Sequence, residues 1–514
     1  MRTCRKRGNR GGTSPDVHVR KWRLQPQEGS YARLAVKLDE TVCDQARLAR
    51  DARFDGRFFI GVTSTGIYCR PICPSPTSRR RNVRFFESAA AAVEAGFRPC
   101  LRCRPEVAPG TPAWSGTSTT VARALRLIAE GALDERGIEG LSGRLGVSSR
   151  HLHRLFLLHL GASPKALAQT RRLHFAKQLI SDTQLPMFRV AQASGFRSVR
   201  RFNDSIRRLY GRTPSELRRV RPAASRHARP DEYVFHLPYR PPYDWESLLT
   251  FLGRRAIPGV EEVASGAYRR SFALGGRHGI LEVRHDGGAR ALEARIRFGE
   301  PLSLLPIVTR LRAMFDLAAD TSVIAQHFCR DPLMGPLVEK YPGLRVPGAW
   351  DGFELAVRAI LGQQVSVAAA STVAGQLARR FGCRLSISDP DGLTLLFPAA
   401  GELADAVLPG LPPIRAQAIR ALARGVVSGR VMLSATEGDS SAALARIRGI
   451  GPWTAQYIAM RVLREPDAFP VNDLVLLRAA GNGSPLTPAE LKARAEGWRP
   501  WRAYAAVYLW RAAA

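Results

Sequence analysis

The sequence predicts a multidomain α+β protein, and three observations carry that prediction. Its 514 residues correspond to three or four domains at roughly 150 residues apiece. Two stretches rich in Pro, Ala, Gly and Arg, residues 107–116 and 221–230, interrupt an otherwise globular composition. The apolar period also changes along the chain. It is helical over 118–220, mixed with strand-like alternation over 231–340, as in Ala291-Leu-Glu-Ala-Arg-Ile-Arg-Phe298, and mostly helical from Trp350 onward. The expected order is a basic disordered arm (1–37), a small cysteine-bearing domain (38–107), a linker (108–117) and an all-α block (118–220). A second linker (221–230), an α+β segment (231–342) and an all-α segment (343–514) follow.

Charge narrows the function. Lys plus Arg minus Asp plus Glu is 77 − 44 = +33, and only 7 of the cations are Lys. A GC-rich codon bias accounts for Arg replacing Lys but not for the surplus over acids, which points to a polyanion, most simply nucleic acid. The arm contributes, with nine Lys/Arg against two acids in residues 1–35. No run of 18 apolar residues occurs, so no membrane span is expected. The N-terminus lacks an apolar secretory core, so a cytoplasmic, nucleoid-associated protein is expected.

Of eight cysteines, Cys4, Cys43, Cys329 and Cys383 are scattered, whereas Cys69-x3-Cys73 and Cys100-x2-Cys103 form two close pairs. In a reducing compartment four clustered thiols read as a tetrahedral Zn²⁺ site rather than as disulfides. The spacing fits a purely structural zinc as well as a reactive one. Asp55-Gly-Arg-Phe-Phe-Ile-Gly-Val62, Thr65-Gly-Ile-Tyr-Cys-Arg-Pro-Ile-Cys73 and Ala95-Gly-Phe-Arg-Pro-Cys-Leu-Arg-Cys103 resemble the zinc domain of the Ada family of alkylation regulators, over about residues 38–107. The resemblance implies that Cys69 accepts a methyl group from a DNA methylphosphotriester while Cys69, Cys73, Cys100 and Cys103 hold one Zn²⁺. Metal ligation keeps sulfur deprotonated and nucleophilic. Four thiolates on Zn²⁺ carry two net negative charges and methylation leaves one, so repair would strengthen DNA binding. A thioether is not readily reversed, so the transfer is stoichiometric.

The all-α block contains a repeat of about 50 residues. Gly146-Val-Ser-Ser-Arg-His-Leu-His-Arg-Leu-Phe156 with Gly161-Ala-Ser-Pro164 is echoed by Gly195-Phe-Arg-Ser-Val-Arg-Arg-Phe-Asn203 with Gly211-Arg-Thr-Pro214. Each Gly marks a turn and the Ser after it caps a helix. Leu152, Leu155 and Phe156 mark the inner face of the first helix. Ser149, Arg150, His153 and Arg154 lie opposite, and Ser198, Arg200, Arg201 and Asn203 do so in the second copy. This reads as paired helix-turn-helices entering successive major grooves, or as a solvated basic face on an ordinary bundle. His153 fits a base contact, a phosphate contact or plain exposure equally. With Arg189-Val-Ala-Gln-Ala-Ser-Gly-Phe-Arg-Ser198, the repeat resembles the AraC-type DNA-binding domain, which implies promoter binding and RNA polymerase as a partner.

In the C-terminal half, Leu444-Ala-Arg-Ile-Arg-Gly-Ile-Gly-Pro-Trp-Thr-Ala-Gln-Tyr457 reads as helix, tight hairpin, helix. Gly449 and Gly451 would let backbone N–H groups approach a phosphate at a helix N-terminus. Alone, Gly-x-Gly is weak. With Phe469-Pro-Val-Asn-Asp-Leu-Val-Leu-Leu-Arg478 it resembles the helix-hairpin-helix DNA glycosylases. With Pro241-Pro-Tyr-Asp-Trp245, Phe353-Glu-Leu-Ala-Val-Arg-Ala-Ile-Leu-Gly-Gln-Gln-Val-Ser366 and Trp498-Arg-Pro-Trp-Arg-Ala-Tyr504, the resemblance over 233–512 is to the AlkA family, the 3-methyladenine DNA glycosylases II.

That resemblance implies hydrolytic excision of alkylated purines flipped out of duplex DNA. Asp473 would be the catalytic carboxylate, and Trp453, Tyr457 and Trp510 would line the base pocket. Taken singly, these aromatics read more readily as core packing, and the motif context reverses that preference. Gln364 stands at the wedge position, where relatives carry Leu, and Asn472 stands where the family often has another acid. Bifunctional relatives carry a Lys where this chain has Trp453, and no cysteine follows Cys383 for an iron–sulfur cluster, so a monofunctional glycosylase is expected. The Pro-Cys-His-Arg motif of O6-methylguanine transferases is absent. The expected protein is a monomer joining an alkylation sensor, a regulator and a glycosylase. The alternative is an alkylation-responsive transcription factor whose glycosylase half only binds DNA.

Overall fold

The computed structural model describes residues 39–109, 119–129, 131–219, 231–389, 392–433, 444–481 and 484–513. The expected basic arm, the second linker and most of the first lie outside the described residues.

The first unit places helices α1 (Glu40–Leu48) and α2 (Ala89–Glu94) on a small sheet of strands β1 (Phe59–Val62), β2 (Ile67–Cys69), β3 (Val83–Phe86) and β4 (Arg98–Pro99). The sheet order is β3-β1-β2-β4, and the last pair is parallel. Gly61 is required inside it, because a Cβ there would sit 2.6 Å from the Phe86 ring and 2.9 Å from Phe97.

Seven helices follow: α3 (Thr119–Ala129), α4 (Ala132–Arg144), α5 (Ser149–Leu160), α6 (Pro164–Asp182), α7 (Met187–Ala193), α8 (Val199–Tyr210) and α9 (Pro214–Arg219). The sequence repeat is a structural repeat. Ser148 caps α5 and Ser198 caps α8 through bonds to the amides of His151 and Arg201. Both helices end on a glycine in the left-handed region, Gly161 at φ 65 and Gly211 at φ 67.

The third unit is a five-stranded antiparallel sheet of order β5-β9-β8-β7-β6. Its strands are β5 (Glu232–Pro238), β6 (Glu261–Ala264), β7 (Ala267–Leu274), β8 (Arg277–Asp286) and β9 (Ala291–Phe298). Helices α10 (Trp245–Gly253), α11 (Leu304–Met314), α12 (Thr321–Phe328) and α13 (Met334–Lys340) accompany it. Helices α14 (Gly352–Leu361), α15 (Val367–Phe381), α16 (Ala400–Leu403), α17 (Pro413–Val427), α18 (Pro452–Arg461), α19 (Leu474–Ala479), α20 (Pro488–Ala495) and α21 (Arg502–Ala512) form the remainder.

Separation in sequence at 221–230 is not separation in space. The second half of the helix-turn-helix block and the five-stranded sheet share one core, in which Leu173, Ile180, Phe202 and Ile206 join Tyr233, Phe235 and Leu237. The Phe175 and Phe235 rings stack with centroids 6.3 Å apart. The cysteine domain docks on the same body. Tyr68 OH meets His174 Nε2 at 2.8 Å, Arg57 pairs with buried Asp320 at 3.1 Å, and buried Arg240 donates to Pro109 O at 3.4 Å. Phe235→Ala is therefore expected to cost about 3–5 kcal/mol. By calorimetry and hydrogen exchange, α6–α8 and the sheet should lose protection together; a loss confined to the sheet would contradict the shared core.

A buried ionic cluster fixes α14 on the sheet. Arg270 donates to Glu354 at 2.7 Å, Arg358 to Glu261 at 2.8 Å, and Tyr268 OH to Glu261 at 2.6 Å. The loop that leaves α14, residues 362–366, thereby has a defined direction.

Candidate metal centre, DNA interface and active site

The four sulfurs of Cys69, Cys73, Cys100 and Cys103 lie within 4.8 Å of one another. A tetrahedral zinc with Zn–S near ~2.3 Å needs sulfurs ~3.8 Å apart, so the donor set and its spacing fit one Zn²⁺ held by four Cys. The β2–β4 pairing makes this geometry. It sets Tyr68 beside Pro99, and the Cys100 amide donates to Tyr68 O at 3.0 Å, so the two pairs meet. Cys100 and Cys103 are buried, while Cys69 and Cys73 are half-buried. Arg70, anchored on buried Asp55, donates its amide to the Cys103 sulfur at 3.3 Å and its guanidinium to Cys103 O at 3.0 Å.

On the helix-turn-helix block, Arg150, His153 and Arg154 stand exposed along α5, and Arg200, Arg201 and Asn203 along α8. Leu152 and Phe156, with Phe202 and Ile206, fill the opposite faces. Leu155 is only half-buried. Of the six polar residues, Arg154 contacts the His151 ring at 3.1 Å, within its own helix.

In the C-terminal half, a cleft of about 1220 Å³ collects Gln363, Gln364, Gly449, Gly451, Trp453, Tyr457, Asn472, Asp473 and Trp510. Asp473 is the N-cap of α19, and it accepts the amides of Val475 and Leu476, both at 3.0 Å. Its other donors are indoles: Trp453 Nε1 at 2.9 Å and Trp510 Nε1 at 3.2 Å. Four N–H groups from three helices thus orient one carboxylate. Trp453 and Tyr457 stack on each other with centroids 5.2 Å apart and planes 10° from parallel. Trp510 stands 6.1 Å from Tyr457 at 58°. The stacked pair therefore presents outer faces to the cleft and leaves no slot between the two rings.

The hairpin glycines differ in their reasons. Gly449 has φ 95, and a Cβ there would lie 2.9 Å from Ala418 of α17. Gly451 caps α18 and faces open space, the property a phosphate contact needs. Gln364 is exposed at φ 57 on the loop between α14 and α15.

Two groups escaped the sequence reading. Arg461 is buried, donates to Pro347 O at 2.8 Å and Gly348 O at 3.0 Å, and bonds Tyr457 Oη at 2.6 Å. Burial alone would raise the Tyr457 phenol; the nearby guanidinium groups of Arg461 and Arg255 outweigh it and hold the phenol below its ordinary range. The spacing of Arg461, one helical turn after Tyr457, was the available signal. The second is Gln363, whose neighbour Gln364 drew the attention.

Three family models match: the metal binding domain of Ada over residues 42–106, a helix-turn-helix domain over 141–220 and the AlkA N-terminal domain over 234–351. A probable bifunctional transcriptional activator/DNA repair enzyme AlkA of Mycobacterium tuberculosis is 42% identical over 479 residues, covering 91% of this chain and 95% of its own length. The chain belongs to that bifunctional AlkA family. Within the family's two-part layout, the DNA-3-methyladenine glycosylase 2 of Escherichia coli is 35% identical over 287 residues, 54% of this chain and 96% of its own. The bifunctional transcriptional activator/DNA repair enzyme Ada of the same species is 41% identical over 128 residues, 25% of this chain and 35% of its own. No described helix is long and apolar enough to cross a membrane.

Proposed function

We propose that the protein is a DNA-3-methyladenine glycosylase and alkylation-responsive transcriptional activator, hydrolytic and without strand-cleaving activity. The carrying observation is the Asp473 carboxylate, held by two indole N–H groups at the floor of an aromatic cleft. Alkylation at a ring nitrogen makes a purine cationic and a good leaving group. Trp453, Tyr457 and Trp510 offer π faces to such a cation. As the glycosidic bond breaks, Asp473 stabilises the positive charge on the sugar and orients water. No lysine lines the cleft, which supports hydrolysis over a Schiff-base route. Free methylpurine released from methylated duplex above the spontaneous rate supports this reading. The reading in which this half only binds DNA expects none.

In the front half, bound zinc supplies thiolate character to its ligands. The Cys69 sulfur attacks the methyl carbon of a methylphosphotriester, the methyl C–O bond breaks, and the electron pair stays on oxygen as a phosphodiester anion. Half-exposure favours Cys69 and Cys73 over their buried partners. The amide bonded to the Cys103 sulfur further lowers that atom's reactivity. The methylated form binds its promoter as a monomer through α5 and α8 and recruits RNA polymerase, a cytoplasmic and nucleoid-associated role.

Alanine at Arg150, Arg154, Arg200 or Arg201 separates phosphate from base contacts. A phosphate contact lowers the slope of log affinity against log salt by about one and weakens all sequences alike. A base contact costs about 1–3 kcal/mol on the promoter alone. Unchanged affinity for all four would favour a merely solvated face.

A further inference from the structure

We infer that Gln363 is a positioning residue that locks the wedge loop to the hairpin, so that the hairpin's hold on DNA opposes recoil of Gln364 during base flipping. This rests on the glycosylase reading above. Gln363 leaves α14 half-buried, immediately before the exposed residues 364–367. Its side-chain Nε2 donates to Gly449 O at 2.9 Å and to Thr454 Oγ1 at 2.9 Å. The first acceptor is a carbonyl, so the amide orientation is fixed by chemistry: only the NH₂ can face it. Both bonds reach across more than 80 residues, one to the hairpin and one to the first turn of α18. Thr454 is 2% exposed, so the second bond lies on a rigid floor. The backbone carbonyl of Gln363 accepts from Arg415 of α17, the helix against which Gly449 packs. Loop, hairpin and α17 therefore form one triangle with Gln363 at its apex.

Flipping a base costs a few kcal/mol, and the inserted side chain bears the reaction of the closing stack. A free loop would yield to it. A loop bonded to the hairpin transfers that load to the phosphate contacts, while the carboxylate and base pocket are untouched. The chain therefore needs Gln363 where it must open a paired site and not where the lesion is already extruded.

The test compares single-turnover excision of one alkylated purine in two duplexes, paired or placed opposite an abasic site. Gln363→Ala removes both bonds. Gln363→Glu keeps the outline but replaces the donor with oxygen, so it also serves if the alanine variant folds poorly. Thr454→Val removes one bond. The expected result is roughly a 10- to 100-fold loss on the paired lesion for both Gln363 variants. The Thr454→Val loss should be smaller, and each variant should lose less than about threefold opposite the abasic site, with an unchanged melting temperature. 2-Aminopurine fluorescence beside the lesion should report reduced flipping. Equal losses on both duplexes, or none on the paired one, would overturn the assignment. If the wild type excises neither lesion, the glycosylase reading fails instead.

Discussion

Asp473→Asn should reduce single-turnover release of alkylated purines by on the order of 10²–10³-fold, the scale of removing one preorganised electrostatic group. Asparagine keeps the outline and one acceptor oxygen, so it can hold the amides of Val475 and Leu476 and preserve the cap of α19. That oxygen also accepts from Trp510, but the NH₂ then faces the N–H of Trp453, donor against donor, so one indole loses its acceptor. The loss should thus fall on kcat, with affinity for undamaged duplex changed by less than about threefold. If wild type and variant release base equally, Asp473 is not the catalytic carboxylate. Replacing Trp510 by Phe isolates the orienting part of the effect, since it removes one N–H and leaves the charge.

Cys69→Ser should abolish methyl uptake from methylphosphotriester DNA, read by peptide mass spectrometry, while base excision persists in the cleft, which none of the four cysteines lines. In the wild type one methyl should appear, on Cys69. Removing one negative charge that faces a phosphate is worth about 1 kcal/mol at ~4 Å even in water-like surroundings, so methylated protein should bind promoter at least about fivefold more tightly. Cys73 shares the half-exposure of Cys69, which makes Cys73→Ser the informative control. Methyl on Cys73 would move the acceptor, and methyl on neither would leave a structural zinc.

These two sites were legible in the sequence for a common physical reason. Metal ligation and a helix-capping carboxylate need fixed residue types at short spacing, so Cys69-x3-Cys73, Cys100-x2-Cys103 and the segment ending in Asn472-Asp473 carry their geometry locally. The helix-turn-helix repeat was legible likewise, through a turn glycine and a capping serine in each copy. What the sequence hid is tertiary. Trp510 reaches Asp473 from another helix, and Gln363 reaches Gly449 across 86 residues; spacing encodes neither. The Gly-x-Gly pattern suggests room for a phosphate at Gly449, yet its packing against Ala418 and its left-handed φ already demand glycine. The composition of 221–230 marks a linker but does not report whether the faces on either side, here Phe175 and Phe235, are apolar and complementary.

In the proposed reaction a single oriented carboxylate, with no amine nucleophile, carries base release. The most direct measurement follows one alkylated purine in an end-labelled duplex, with borohydride present in a parallel reaction. Hydrolysis at Asp473 should give free purine and an intact strand that breaks only on later alkali treatment, with no protein–DNA adduct trapped. An adduct with borohydride, strand breakage before alkali, or release no faster than in buffer would contradict it.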